Sequence, residues 1–258
     1  MELPKNSFKA ALLEGRQQIG LWCMIDDAYT TEMLAGCGYD WMLIDTEHSP
    51  MDRPEALAAL QAVAPYPVHP VVRPKSLDVA EIKKLLDCGA QSILVPYVQT
   101  VEEAKLAAAA VEYAPGGVRG VAGLIRANRF GLVQDYATRA REEICLIVQI
   151  ETAEACDRIE EIAAVPGIDA IFIGPADLAA SLGHVGDTSH PEVRAIACDA
   201  VRRVRAAGKP AGFLTLDPKF LEEVVEAGSL FTAVDVDAAI LRRGAVEQAK
   251  IWRRKTSA

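Results

Sequence analysis

Short apolar runs rich in β-branched residues recur along the chain, and stretches with helical periodicity separate them. Four of these runs follow a glycine-containing turn. Apolar runs that lack polar alternation are typical of parallel strands buried on both faces. The pattern therefore predicts eight such strands, at residues 19–24, 41–45, 69–73, 92–96, 145–151, 170–174, 211–214 and 230–235.

Helical spacing of apolar residues predicts helices between these strands. The clearest cover residues 78–87, 101–113, 153–165, 191–207 and 218–226. Eight β/α units in about 250 residues indicate an α/β protein with a (β/α)8 TIM barrel. A doubly wound open sheet is the alternative, although no G-x-G-x-x-G follows the first strand and no Walker motif occurs. Since no Pro-rich or Ser/Gly-rich linker interrupts the pattern, we expect one barrel domain over residues 1–258.

One unit is longer than a helix requires. Between the fourth and fifth strands, residues 113–131 read YAPGGVRGVAGLIRANRFG, which contains Arg119, Arg126 and Arg129. We expect this insertion on the surface or over a site.

Composition and charge exclude several classes of partner. The 258 residues include 27 basic and 36 acidic side chains, for a net charge of −9. This balance argues against nucleic acid and anionic membranes as partners, because both select for basic surfaces. We find no secretory signal and no apolar run of the roughly 18 residues that cross a bilayer. Six cysteines without a C-x-x-C pair indicate reduced thiols and a cytoplasmic protein.

Polar residues follow several predicted strands at their carboxyl ends, where barrel enzymes build their sites. Gln149 and Glu151 share one face of the fifth strand, and Asp177 follows the sixth. Two carboxylates from neighbouring strands suit a Mg²⁺ or Mn²⁺ ion with open coordination positions. Alternatively, Glu151 and Asp177 cap the helices that follow them.

The second and third strands end in a possible acid–base pair and a cation. His48 follows Asp45 closely enough for that carboxylate to orient its imidazole as a general base, although a surface histidine is the alternative. Arg73 could stabilise an oxyanion in the barrel mouth, or form a structural ion pair with Asp87.

Six stretches, taken together and in this order, resemble the HpcH/HpaI aldolases, which are metal-dependent (class II) pyruvate aldolases with a TIM-barrel fold. The resemblance extends from residue 20 to residue 237. The stretches are LIDTEHSPMD, PVVRP, LLDCGAQSILVPYVQT, YAPGGVRGV, VQIET and GIDAIFIGPADLAASLG.

The resemblance implies a role for each matching residue. Glu151 and Asp177 match the metal ligands, His48 with Asp45 matches the catalytic dyad, and Arg73 matches the arginine that binds the 2-oxo acid. The family resemblance further assigns Asp87 to the dyad of a neighbouring subunit. The remaining substrate contacts that it implies are Gln149, Gly174, Pro175, Ala176, Trp22 and Leu214.

The implied activity is that of a carbon–carbon lyase. With Mg²⁺, Mn²⁺, Co²⁺ or Zn²⁺, it would reversibly cleave 4-hydroxy-2-oxo acids to an aldehyde and pyruvate, or a related 2-oxo acid such as hydroxypyruvate. The implied assembly is a homo-hexamer, a trimer of dimers that exchange the last helix, here residues 238–254. The alternatives are a citrate-lyase-like CoA ester lyase, a barrel that binds 2-oxo acids without catalysis, and a class I aldolase with Lys75 as the Schiff-base lysine.

Overall fold

The computed structural model describes residues 1–256 and shows a closed barrel of eight parallel strands in sequential order. The predicted fold is thereby confirmed, while residues 257–258 of the predicted domain lie outside the described part. Each strand lies within about a residue of its predicted position. The strands are β1 Gln18–Cys23, β2 Trp41–Asp45, β3 His69–Arg73, β4 Ser92–Val95, β5 Cys145–Ile150, β6 Ala170–Ile173, β7 Ala211–Leu214 and β8 Ser229–Val236.

Helices connect the strands around the outside of the barrel. The predicted helix 153–165 is wrong as one element: the chain turns after four residues and starts a second helix, which buries Ile159 and Ile162 in the core. The helices are α1 Ser7–Leu13, α2 Ala28–Ala35, α3 Arg53–Val63, α4 Val79–Asp87, α5 Val101–Ala110, α6 Tyr136–Arg139, α7 Ala153–Cys156, α8 Ile159–Ala163, α9 Pro175–Ser181, α10 Pro191–Ala206, α11 Pro218–Glu226 and α12 Asp237–Thr256.

Side chains alternate between the barrel interior and the surrounding helices. In β2, Leu43 packs inside with Phe172 and Phe231, whereas Ile44 packs outside against the helices. The next inward position of β2 is Asp45, which pairs in register with Arg73 of β3. The alternation that fills the barrel with apolar side chains therefore places these two charges inside its carboxyl end.

Aromatic side chains close the opposite end of the barrel. Phe8 of α1 packs against Trp41 and Phe231, with ring centroids 5.7 and 5.6 Å apart. The barrel is therefore filled below the level of the charged residues.

The insertion after α5 folds over the amino-terminal side of the barrel. Arg119 is buried beside the Tyr113 ring, and its guanidinium lies 2.8 Å from the carboxylate of Asp87. Arg126 donates hydrogen bonds to the carbonyls of Cys88 and Leu60. Arg119 and Arg126, two of the three arginines of the insertion, thus bind other residues of this same chain.

The last helix, α12, extends along the surface with most of its residues exposed. Its first residue, Asp237, accepts hydrogen bonds from the backbone N–H groups of Met24 and Ile25. Leu241, Val246 and Trp252 of this helix are exposed. The predicted helix is present, whereas its exchange between subunits stays a prediction. Across residues 1–256, no helix combines the length and apolar character required to span a bilayer.

Candidate active site

A cavity of about 200 Å³ opens at the carboxyl ends of the strands. Every predicted site residue except Asp87 lines it, and three apolar residues that sequence reasoning missed complete the wall. Of these three, Phe172 could have been found from the inward alternation of β6, two residues before Gly174. The lining residues are Trp22, Met24, Asp45, His48, Arg73, Gln149, Glu151, Phe172, Gly174, Pro175, Ala176, Asp177, Leu214 and Val236.

Asp87 lies away from this cavity, at the end of α4 and before β4. The alternative ion pair between Arg73 and Asp87 is wrong, because Asp87 pairs with Arg119 while Arg73 pairs with Asp45. A contact of Asp87 with a neighbouring subunit stays a prediction.

Glu151 is buried and held by donors on both carboxylate oxygens. Oε1 accepts the backbone N–H of Tyr97 at 2.8 Å, and Oε2 accepts Nε2 of Gln149 at 2.5 Å. Tyr97 has a positive φ of 54°, a strained conformation for a non-glycine residue that aims its N–H at Glu151. The predicted alternative in which Glu151 caps a helix is wrong, because the Thr152 side chain caps α7.

Asp177 lies in the first turn of α9 and faces the same cavity. Burial, followed by the charges of Asp177 and Glu47, raises the pKa of Glu151 to about 7. Such a shift means that the ionised form lacks sufficient positive charge nearby. Hard carboxylate oxygens in this environment fit a divalent cation, which would supply that charge.

The neighbouring Gln149 supports the same interpretation. Its Nε2 donates a hydrogen bond to Glu151, while its Oε1 is buried and has no hydrogen-bond partner within residues 1–256. Buried polar atoms are rarely left unpaired unless a water, ion or ligand completes them.

Gly174 allows Glu151 and Gln149 to approach the backbone. A Cβ at this position would lie 2.5 Å from Oε2 of Glu151 and 2.6 Å from Nε2 of Gln149. We expect Gly174→Ala to displace the Glu151 carboxylate and weaken metal binding at least tenfold, as measured by calorimetry on metal-stripped protein. Gly123→Ala, in the insertion, is the matched control, because nothing lies within 4 Å of a Cβ built there. Equal metal affinity in both variants would contradict this role.

Arg73 is held by Asp45 through two parallel contacts. Its Nε lies 3.0 Å from Oδ1 and its Nη2 lies 2.6 Å from Oδ2, and the guanidinium lies 4.7 Å from the centre of the Trp22 ring. Burial alone would raise the pKa of Asp45, but the hydrogen bonds and charge of Arg73 outweigh it and leave that pKa below its ordinary value. The Asp45 carboxylate is therefore ionised at neutral pH.

Within residues 1–256, the Asp45 carboxylate contacts the backbone of His48 and not its imidazole, and the dyad of His48 with Asp45 stays a prediction. Asp45 accepts the backbone N–H of His48 at 3.3 Å, while its oxygens also accept bonds from Arg73 and Trp22. The imidazole of His48 instead lies 3.8 Å from the carboxylate of Glu47. Glu47 follows Asp45 by two residues in the motif, yet sequence reasoning assigned it no role.

The barrel carries two carboxylates and a paired arginine at the carboxyl ends of its strands. Such a site is suited to metal-assisted chemistry on small oxygenated substrates. The sequence model of the HpcH/HpaI aldolase/citrate lyase family matches residues 18–243. The chain belongs to this family, as its motifs predicted.

Similar proteins of known name cover nearly the whole chain. A hydroxypyruvate/pyruvate aldolase of Sagittula stellata is 55% identical over 98% of this chain and 100% of its own length. A pyruvate aldolase of Rhizobium etli is 57% identical over 95% of this chain and 96% of its own length. Among solved structures, an HpcH/HpaI aldolase/citrate lyase family protein from Burkholderia cenocepacia is 36% identical with a TM-score of 0.92, covering 96% of this chain and 100% of that one.

Proposed function

We propose that the protein is a divalent-metal-dependent aldolase that reversibly cleaves 4-hydroxy-2-oxo acids to a 2-oxo acid and an aldehyde. The observation that carries the proposal is the meeting of Glu151, Asp177 and Arg73 in one cavity at the carboxyl end of the barrel. Two carboxylates there suit a cation, and a buried guanidinium suits a developing oxyanion.

Glu151 and Asp177 would hold the cation, and their oxygen donors suit Mg²⁺, Mn²⁺ or Co²⁺, with Zn²⁺ also possible. When bound, the cation would act as a Lewis acid that lowers the cost of negative charge on the C2 oxygen of the substrate. The carboxylate of the 2-oxo acid would lie at the start of α9, where Pro175 and Ala176 line the cavity.

Arg73 and His48 would act on different halves of the substrate: His48 on the C4 hydroxyl, and Arg73 on the oxygen of the enolate. His48 takes the proton of the C4 hydroxyl, the C3–C4 bond breaks, and the carbonyl of the leaving aldehyde forms. The electron pair of the broken bond forms the enolate of the 2-oxo acid, whose oxygen Arg73 stabilises. The proton that His48 took up is then returned to C3, so that the reaction neither consumes nor releases a proton overall.

The relatives named above support pyruvate or hydroxypyruvate as the 2-oxo acid. A cavity of about 200 Å³ has room for a small acid and a short aldehyde, and its apolar lining includes Met24, Leu214 and Val236. Since Arg119 and Arg126 are engaged elsewhere in this chain, neither supplies the cation that a dicarboxylate substrate would need.

The alternatives have less support. A CoA ester lyase would need a basic surface for the phosphates of CoA, and the two relatives at 55% and 57% identity are both named aldolases. A Schiff-base lysine is disfavoured because Lys75 pairs with Asp52 at 3.1 Å and is not among the residues that line the cavity. A barrel that only binds 2-oxo acids would not need His48 at the rim.

The proposal includes a homo-hexamer, a trimer of dimers, in which α12 packs on a neighbouring copy. The exposed apolar residues Leu241, Val246 and Trp252 support this packing. The six free cysteines are consistent with a reducing compartment such as the cytoplasm.

A chelator experiment tests the proposed activity. We expect excess EDTA to abolish retro-aldol cleavage, and added Mn²⁺, Co²⁺ or Mg²⁺ to restore it, when pyruvate and hydroxypyruvate are screened against a panel of aldehydes. The readout is product formation with the metal varied. Full activity in EDTA, or borohydride trapping of pyruvate on Lys75, would show that the class II assignment is wrong.

A further inference from the structure

A second group of metal-ligating side chains lies where the chain passes from α9 to α10. His184 and His190 belong to the connecting loop, and Glu192 lies in the first turn of α10. One ligand atom from each of the three lies within 4.8 Å of the others, and Nε2 of His184 lies 2.8 Å from Oε2 of Glu192. The two imidazole rings stack with their centroids 3.5 Å apart. These three residues, which we call the histidine cluster, are not among those that line the cavity of the candidate active site.

The spacing within the histidine cluster is close to that of a tetrahedral metal site. Two ligands that each lie about 2.0–2.1 Å from a zinc ion are about 3.3 Å from one another. His184 and Glu192 are already this close, so a small separation of the two would admit an ion between them. Rotation of side chains is sufficient to complete the site, because both histidines are half-buried and Glu192 is exposed.

Backbone hydrogen bonds hold the loop in the conformation that gathers the cluster. His184 donates its N–H to the carbonyl of Ala179 at 2.8 Å, which ties the loop to the end of α9. Asp187 donates its N–H to the carbonyl of His184 at 2.9 Å, and His190 donates its N–H to the carbonyl of Asp187 at 3.3 Å. These two successive turns bring His190 back beside His184. The backbone is therefore ordered before an ion binds, which reduces the entropy lost on binding.

His190 has one competing contact, because it is also the N-cap of α10. Its Nδ1 accepts the backbone N–H of Glu192 at 3.3 Å. A neutral imidazole has one ring nitrogen that can accept, so an ion bound to His190 would replace this contact. The distance is longer than is usual for such a hydrogen bond, which makes the contact a weak competitor.

The charges around the histidine cluster also suit a cation. Asp187, on the same loop, accepts the N–H and the hydroxyl of Ser189 at 3.2 and 2.8 Å. The hydrogen bond from the Ser189 hydroxyl, followed by that from its N–H and by the two imidazoles, lowers the pKa of Asp187 below its ordinary value. An ionised carboxylate thus lies on the loop in addition to Glu192.

From this geometry we propose that His184, His190 and Glu192 form a second metal site, which takes a transition-metal ion of the class of Zn²⁺. Imidazole nitrogens suit Zn²⁺, Ni²⁺ and Cu²⁺, whereas Mg²⁺ and Mn²⁺ prefer the oxygen ligands that Glu151 and Asp177 offer. A bound ion would join the end of α9 to the start of α10. The site is independent of the proposed function, because no step of the proposed reaction uses it.

Zinc binding to the untagged protein tests the proposal, with the candidate active site removed by Glu151→Gln. In this background we expect equilibrium dialysis with elemental analysis to find one Zn²⁺ per chain, which an excess of Mg²⁺ does not displace. Adding His184→Gln or His190→Asn should lower the zinc affinity at least about tenfold, since even a residue behind a ligand is worth about 10- to 100-fold. His190→Asn keeps a side-chain acceptor at the N-cap, so α10 should still begin at the same residue.

Glu192→Gln and Glu222→Gln form a matched pair of variants. Both remove the charge of an exposed glutamate on a helix, but Glu222 lies on α11 and outside the histidine cluster. We expect the zinc affinity to fall in Glu192→Gln and to stay parental in Glu222→Gln.

An NMR measurement on the protein without any substitution in the cluster makes the test independent of how the variants fold. In ¹⁵N spectra, Zn²⁺ should shift the ring nitrogens of His184 and His190, and Mg²⁺ should not. The ring of His69, which is buried at the start of β3, should be unaffected by either ion.

Three outcomes would overturn the proposal. The first is that the Glu151→Gln background binds no zinc in the presence of Mg²⁺. The second is that His184→Gln and His190→Asn bind zinc as tightly as that background, which would place the ion elsewhere, for example at the exposed thiol of Cys37. The third is that Zn²⁺ leaves the ring nitrogens of His184 and His190 unshifted. None of these measurements uses turnover, so a parent protein without cleavage activity would contradict the proposed function alone.

Discussion

Glu151→Gln is expected to lose divalent-metal binding and, with it, cleavage activity. Glu151 supplies one of the two carboxylates proposed to hold the cation, and the amide that replaces it carries no negative charge. We expect metal affinity to fall at least 100-fold, measured by calorimetry, and activity to fall by at least the same factor at limiting metal. Glu154→Gln, on the exposed first turn of α7, is the control and should behave like the parent.

The raised pKa of Glu151, about 7, adds a pH dependence to this prediction. Below pH 7 the cation must displace a proton, so metal affinity should rise up to tenfold per pH unit and level off above pH 7. For folding, the sign is opposite: a carboxyl group whose pKa rises on folding stabilises the metal-free protein at low pH and loses that contribution as the pH rises through 7. In Glu151→Gln, metal affinity should not increase with pH in this way. A metal affinity of the parent protein that does not depend on pH would contradict the assignment of Glu151 as a metal ligand.

Arg73→Ala is expected to damage both stability and catalysis, because it leaves the fully buried Asp45 carboxylate without its cation. Removing one member of a buried pair costs about 3 to 5 kcal/mol. In Arg73→Ala, Asp45 keeps its hydrogen bonds from Trp22 and from two backbone N–H groups. We therefore expect the free energy of unfolding, measured with urea, to fall by an amount near the lower end of this range.

The catalytic loss is better isolated with Arg73→Lys, which keeps the charge but not the parallel pair of contacts with Asp45. We expect kcat/KM to fall about 10²- to 10³-fold, as for the loss of one oxyanion donor. Arg202→Lys, an exposed substitution on α10, is the control. If Arg73→Lys cleaved substrate at the parental rate, the guanidinium would have only a structural role.

The barrel could be predicted from sequence because its strands are local patterns that repeat. Apolar runs fix the eight strands, and the carboxyl-end rule then gathers Asp45, Arg73, Glu151 and Asp177 at one rim. The broken helix at residues 153–163 could not be predicted in the same way, since no proline or glycine stands between its two halves.

Side-chain partners were harder to predict than positions. Asp45 is three residues from His48 in sequence, which suggested a pair, but the register of β2 and β3 places it directly beside Arg73. That long-range contact occupies the Asp45 carboxylate and leaves Glu47 as the acid nearest to the imidazole. Spacing along the chain does not indicate whether Asp45 or Glu47 will be the acid that pairs with a residue of the neighbouring strand.

The aromatic closure formed by Phe8, Trp41 and Phe231 also has a kinetic consequence. Because apolar side chains fill the barrel below the site, reactants and products enter and leave through the same opening at the carboxyl end. The 2-oxo acid would lie deeper, beside Glu151 and Gly174, and the aldehyde nearer the rim at His48. In that arrangement we expect ordered release: the aldehyde would depart first, and the 2-oxo acid alone would remain as the product that competes with fresh substrate.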